Sequence, residues 1–388
     1  MALTDIDLTA LPIPIHFGAD ALARVGQIAT NTGGTRALIV TDQGVRKAGH
    51  VARTESYLRA AGIESIVYDG VQENPSTIDV EHCVTAARDG KADCLIGLGG
   101  GSSMDAAKGC NFILTNGGRM QDYWGVDKAS QAMLPFIAIP TTAGTGSECQ
   151  RFALISDADT HQKMACGDPK AAARCAILDP RLTLTQPDFV TACTGIDAIV
   201  HAVETAVTSA ATPASLRYSH EAFRLLITHM PMVLDSPDSI DARAAMQLGA
   251  ALAGTAIEHS MLGAAHAAAN PLTAHFNVIH GQAVCNTLSH VVRLNARQEA
   301  SCNAYRSLMQ HAGLVSADAT AQDAVDTLLD QLDTLGRAAD LIVPLAEFGV
   351  RESDIEMLSN EAAEQWTGTF NPLALTAADY QALYRAAL

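Results

Sequence analysis

The stretch Cys94-Leu95-Ile96-Gly97-Leu98-Gly99-Gly100-Gly101-Ser102-Ser103-Met104-Asp105-Ala106-Ala107-Lys108 decides the fold. Its opening is a short apolar run, the pattern of a strand buried on both faces. Three glycines then allow close backbone approach to a ligand, and two serines open a helical stretch. A strand end that feeds a glycine turn and a helix N-terminus is an anion site in waiting, because its free N–H groups and the helix dipole both favour negative charge. The spacing is neither G-x-G-x-x-G nor G-x-x-x-x-G-K-[ST]. Gly-Gly-Gly alone reads equally well as a plain strand-to-helix turn; its position after a strand, with Ser-Ser at the helix start, favours the anion site.

Working outward, the same rhythm recurs on both sides. Arg36–Asp42 and Ser65–Asp69 read as strands, each followed by a helical stretch, about 49–61 and 78–89. Pro135–Pro140 reads as a further strand. Alternating apolar strands and helices predict a mostly parallel sheet covered on both faces, with ligands beyond the carboxyl ends of its strands. After Ile177-Leu178-Asp179-Pro180 the character changes. From about Pro187 strand signals vanish and Ala/Leu-rich helical stretches dominate, such as 242–269 and 321–338. The fold class expected is α/β plus all-α: an N-terminal Rossmann-like domain over residues 1–185 and an all-helical domain over 186–388.

Composition narrows the function. The 388 residues are 48% hydrophobic and 17% charged, enough apolar mass for two cores and too little charge for a disordered chain. Lys+Arg number 25 against 42 Asp+Glu, a formal charge of -17. That balance argues against nucleic acid or an anionic membrane as partner. A phosphate-bearing ligand must then be held by local donors. No run of 18 apolar residues suggests a membrane span, and the N-terminus lacks the basic and apolar regions of a secretory signal. Nine cysteines without a C-x-x-C pair read as reduced thiols, which points to the cytoplasm.

Three further features carry chemistry. Pro140-Thr141-Thr142-Ala143-Gly144-Thr145-Gly146-Ser147-Glu148 sets small hydroxyls and glycines at another strand end; it suits a nucleotide, or a capped loop. Asp42 ends the Leu38–Val40 run, where an acid can bond a ribose hydroxyl and repel a 2′-phosphate, or can simply cap a helix. Asp197 and His201 lie four apart in a helical stretch and so share one face. The downstream His266 is expected to close the helix begun near Ala242, and His280 follows a short loop. One carboxylate and three imidazoles suit Fe(II) or Zn(II). A helix ion pair explains Asp197 and His201 equally well.

In order along the chain, Val40-Thr41-Asp42, Gly99-Gly100-Gly101-Ser102 with Asp105 and Lys108, Pro140-Thr141-Thr142 with Gly144-Thr145-Gly146-Ser147-Glu148, Lys163, Asp179-Pro180, Gly195-Ile196-Asp197-Ala198, His201, Leu262-Gly263, His266, His280-Gly281 and Pro372 form a specific set. By it the sequence resembles the iron-dependent (group III) alcohol dehydrogenases. The resemblance implies a dinucleotide-binding α/β domain and a helical metal domain, an architecture shared with dehydroquinate synthases. It implies Asp197, His201, His266 and His280 as metal ligands, for Fe2+ or in some relatives Zn2+. It implies Gly99, Gly100, Ser102, Thr141, Thr142, Thr145 and Lys163 as nucleotide contacts, and with Asp42 and Asp105 these make up the expected NAD-binding set.

The expected activity is hydride transfer between NAD(H) and a small alcohol, aldehyde or ketone, in a homodimer or higher assembly. Position 270 departs from the resemblance: Asn270 stands where a second histidine is often found, and an amide does not titrate near pH 7. His275 is the candidate substitute as proton relay. Glycerol dehydrogenases, maleylacetate reductases, a dehydroquinate synthase-like lyase and an NAD-binding protein without turnover are the rival readings. The lyase needs a basic phosphate-binding site, and the helical half has few clustered Lys/Arg to build one.

Overall fold

A computed structural model describes residues 3–160 and 162–388. The described strands are β1 Ile15–Phe17, β2 Arg36–Val40, β3 Glu64–Tyr68, β4 Cys94–Gly99, β5 Gly125–Val126, β6 Phe136–Pro140, β7 Phe152–Ser156, β8 Lys163–Gly167 and β9 Cys175–Leu178. Six of them form one sheet in the order β1-β9-β6-β4-β2-β3, every neighbouring pair parallel. All six residues of β4 are buried, as are Ala37–Val40 of β2. The continuous apolar runs therefore mark strands covered on both faces, as expected. Ile39, Ile96, Leu98, Ile137, Ile139 and Ile177 from four strands meet Leu22, Val25 and Leu58 from the covering helices in one core.

From β2 the chain moves first to β3 on one side and then back to β4 on the other. The strand order thus reverses between β2 and β4, and an open parallel sheet takes its ligands beyond the carboxyl ends at such a point. Asp42 follows β2, and the glycine turn follows β4. A smaller sheet, β5-β8-β7, includes an antiparallel β7–β8 pair that the sequence reading passed over. Lys163-Met164-Ala165-Cys166-Gly167 has little strand propensity, so pairing rather than composition makes it a strand.

The chain divides into two compact units. The α/β unit runs to Thr142 and resumes over Gly146–Gln186; the helical unit holds Ala143–Thr145 and Pro187–Leu388. Thr145, expected within the first domain, thus belongs with the helices. In the helical unit, helix Asp188–Val207 is long and apolar enough by composition to cross a membrane, yet 83% of its apolar window is buried inside the protein. Its apolarity serves a helical core.

One expected helix is divided. Helix Ile240–Glu258 ends at His259, and a separate helix, Ala264–Phe276, begins after Gly263. His266 therefore stands in the first turn of the second helix and does not close the first. Pro271 lies inside that second helix, where its missing N–H removes one hydrogen bond without ending the element. Alanine-rich composition favours helix on both sides of the break, so propensity could not place it.

Candidate metal centre

Asp197 and His201 sit mid-way along helix Asp188–Val207, one turn apart. At 3.6 residues per turn, Asp197, His201 and Glu204 fall within about 60° of one another around the axis. All three are buried, at 5%, 5% and 3% exposure. His266 comes from the neighbouring helix, also buried, and His280 is the first residue of helix His280–Asn295. That helix start can approach because residue 281 is glycine: a Cβ there would lie 2.3 Å from the Cys193 carbonyl oxygen.

The geometry converges on one atom. Nε2 of His201, His266 and His280 lie 3.4, 3.5 and 3.7 Å from Asp197 Oδ1. Ligand atoms of Asp197, His201 and His266 all fall within 4.8 Å of each other. His280 adjoins this trio with its side chain 36% exposed, on the open side of the cluster. The rings of His201 and His266 stack at 4.9 Å between centroids, and His266 and His280 are 5.3 Å apart.

These residues fit a divalent metal. Donors held about 2.0–2.1 Å from a tetrahedral ion stand about 3.3–3.4 Å apart, close to the spacings seen. Asp197 Oδ1 and His266 Nε2, both on the facing side of the cluster, are buried with no hydrogen-bond partner, a costly state unless something else satisfies atoms of this kind.

Electrostatics agree. Burial works to raise the Asp197 carboxyl, but His201, His266 and His280 around it hold it well below the usual carboxylate range. Burial likewise disfavours a charged His266, yet Glu204 and Asp197 outweigh it and push the imidazole up to about 9. His201 moves the other way, lowered mainly by burial although Asp197 opposes this. The pocket favours positive charge, as a cation site must.

Glu204 escaped the sequence reading. Its Oε2 lies 2.6 Å from His266 Nδ1, and its Oε1 accepts from the Ala265 N–H at 2.7 Å. The available signal was spacing, since Glu204 follows Asp197 by seven residues and lies on the same stripe.

The structure does not bring His275 to this group. Nine residues beyond His266, it lies about 13 Å further along the helix and about half a turn round. There it pairs with Glu361 at 2.8 Å, both side chains about 40% exposed. This surface ion pair corrects the expectation of a proton relay. Asn270 is half-buried and donates to Gln365 Oε1 at 2.9 Å.

The residues expected to hold a nucleotide, apart from Thr145, lie in the α/β unit. Gly99 has φ +153, where a side chain would be strained, and a Cβ would meet Ser103 Oγ at 2.3 Å and Asp42 Oδ2 at 3.5 Å. Gly100 precedes helix Gly101–Asn116 and faces Thr142, whose Cγ2 would lie 3.4 Å from a Cβ added there. Ser102 is half-buried in the first turn of that helix, and Thr141 is buried just past β6. Asp42 caps helix Gln43–Lys47 by accepting from the Val45 N–H at 2.9 Å, which leaves Oδ2 on the side of the glycine turn. Thr41 Oγ1, just past β2, and Ser103 Oγ, beside this turn, are outside the expected set and are buried without partners.

Two members of the set serve other contacts. Asp105 accepts from Ser147 Oγ at 2.9 Å, in a network with the buried Lys108. Lys163 is exposed and donates to Asn74 Oδ1 at 3.1 Å.

With the geometry in place, comparison with known proteins is specific. The family model for iron-containing alcohol dehydrogenase matches residues 12–180, and that for the C-terminal part of the Fe-containing alcohol dehydrogenase family matches 191–388. Alcohol dehydrogenase 4 of Schizosaccharomyces pombe is 34% identical over 96% of this chain and 87% of its own. The NAD-dependent methanol dehydrogenase of Bacillus methanolicus is 32% identical over 97% and 99%. A 1,3-propanediol oxidoreductase crystal structure superposes with a TM-score of 0.93 at 30% identity, covering 96% of this chain and 97% of that one. Matched at both halves and along nearly its whole length, the chain belongs to the iron-containing alcohol dehydrogenase family.

Proposed function

We propose that this oxidoreductase transfers a hydride between NAD(H) and a small primary alcohol or its aldehyde, with Asp197, His201, His266 and His280 holding a divalent metal, Fe2+ foremost and Zn2+ as alternative. The observation that carries the reading is the convergence of three imidazole Nε2 atoms on Asp197 Oδ1. The small substrate follows from the relatives, which include dehydrogenases of methanol and of 1,3-propanediol.

When bound, the metal supplies Lewis-acid polarisation of a substrate oxygen and NAD the hydride acceptor. The remaining work belongs to the chain. Gly99 and Gly100 leave room for a pyrophosphate at the N-terminus of helix Gly101–Asn116, whose free N–H groups offset its charge despite the acidic surface. Thr41, Ser102, Ser103, Thr141 and Thr142 offer hydroxyls around it, and Lys163 completes the proposed nucleotide set within this unit. Asp42 Oδ2, outside its capping bond, can accept from a ribose hydroxyl and repel a 2′-phosphate. His280, the one exposed imidazole of the cluster, marks the side open to substrate. Asn270 can orient a hydroxyl but holds no proton to exchange near pH 7.

The reading carries two further proposals. Among the described residues strand β1 pairs as a strand with β9 alone; on its other flank the Ile15 N–H donates to the Leu8 carbonyl at 3.0 Å, so a second copy in a homodimer would join this edge beyond that contact. All nine cysteines are free and all but Cys285 buried, which suits the reducing cytoplasm.

The test is metal analysis of the purified protein followed by NADH formation over a panel of primary alcohols. Net NADH from a simple alcohol, dependent on the bound metal, supports the reading. Metal binding with no net NADH from any alcohol, and no NADH consumption with any aldehyde, defeats it.

A further inference from the structure

We infer that Glu204 is a positioning residue that fixes which nitrogen of His266 faces the metal site, and that it supplies the second of two buried carboxylates that match a divalent charge. The inference rests on the metal reading above. The two oxygens of Glu204 have distinct tasks. Oε1 accepts from the backbone N–H of Ala265, a group that can only donate. Oε2 lies 2.6 Å from His266 Nδ1. A carboxylate can only accept, so the proton between them sits on Nδ1. The opposite nitrogen, Nε2, faces Asp197 Oδ1, and it is the nitrogen whose lone pair a metal would take on displacing its proton. It is buried and has no hydrogen-bond partner of its own.

The break between helices Ile240–Glu258 and Ala264–Phe276 makes this possible. It exposes the Ala265 N–H, one of the first-turn donors that have no intrahelical acceptor. One carboxylate thereby caps a helix and orients an imidazole. Glu204 and Asp197 are both buried in the same helix, and among the described residues neither forms an ion pair with lysine or arginine. Together the two carboxylates match the charge of one divalent cation, which would take over from the imidazoles that face them.

Glu204→Gln separates this role from a structural one. The amide keeps nearly the same shape, and its oxygen must stay on the Ala265 N–H, because turning it would set two donors face to face. Its NH2 then points at His266 Nδ1 and donates, which drives the imidazole proton to Nε2, toward the metal position. The variant should weaken zinc binding by about ten- to a hundredfold, measured by competition with a chelator. Its metal-free form should melt within a few degrees of the metal-free wild type. In the zinc-loaded wild type, 15N-histidine spectra should show a slowly exchanging, hydrogen-bonded proton on His266 Nδ1, and Glu204→Gln should lose it.

Wild-type zinc affinity in Glu204→Gln, or absence of that proton in the wild type, overturns the inference. Should the variant not fold, the wild-type spectrum alone decides. Failure of the parent reading looks different: wild-type protein would bind no zinc, or His201→Ala would bind it as tightly as wild type.

Discussion

Lys108 donates to both the carbonyl oxygen and the hydroxyl of Ser147, at 2.7 and 2.9 Å, from a side chain with no solvent exposure. A third bond reaches the Phe152 carbonyl, and Ser147 passes the contact on to Asp105. The helix that follows the glycine turn is thereby tied to the segment 147–152. Lys108→Met should lower the unfolding free energy by about 3 kcal/mol or more, because it strands a buried carboxylate and two carbonyls. Chemical denaturation measures this, and a rise in KM for NAD should accompany it.

Removing one metal ligand should act on occupancy before it acts on anything else. His201→Ala should hold less than about a tenth of the wild-type metal and lose more than about a hundredfold in kcat/KM. Chelator treatment of the wild type should reproduce the loss, and added Fe2+ or Zn2+ should restore activity to the wild type alone. Elemental analysis alongside steady-state kinetics reads both.

Asp42 combines a helix cap with a charge near the glycine turn, and the two can be separated. Asp42→Ser keeps an acceptor for the Val45 N–H and removes the charge. Discrimination between NAD and NADP should relax by about tenfold, equivalent to about 1.4 kcal/mol, with little change in melting temperature. Unchanged preference in kcat/KM for the two cofactors would remove Asp42 from the nucleotide set.

Burial raises the Glu148 carboxyl to about 7, against the opposing pull of its own backbone and of Lys108. Its ordinary value is 4.5, so between about pH 4.5 and 7 the folded state binds more protons than the unfolded one. Stability must then fall as pH rises through that window, by up to about 3 kcal/mol at 1.36 kcal/mol per unit. Glu148→Gln removes this dependence. Relative to wild type, its stability by urea denaturation should improve steadily from pH 4.5 to 7 and level off above.

His275→Ala should leave kcat and its pH profile within about twofold of wild type. The exposed pair with Glu361 contributes at most about 1 kcal/mol to stability. A tenfold loss of kcat would return His275 to the reaction.

Much of the fold was legible because its signals are local. Cys94–Leu98 and Arg36–Val40 are apolar without alternation, and that pattern suits a strand covered on both faces. The Gly99–Ser103 turn is written in residue types that few other conformations require. The helix over Ala321–Ala338 agrees in propensity and periodicity. The β7–β8 hairpin and the break before Gly263 were not legible. Lys163–Gly167 becomes a strand by pairing, and Ala242–Ala269 carries the same helical composition on both sides of its break.

Of the candidate site, the sequence by itself determined the ligand types, their order and the shared face of Asp197 and His201, because spacing along one helix is a local property. The tertiary structure decided the rest. It brought His266 and His280 to Asp197 from two other helices, turned His275 onto the surface and placed Glu204 behind His266. Those relations depend on helix packing and on where a helix starts. They arise from contacts between residues some 60 to 90 positions apart, which no window of sequence contains.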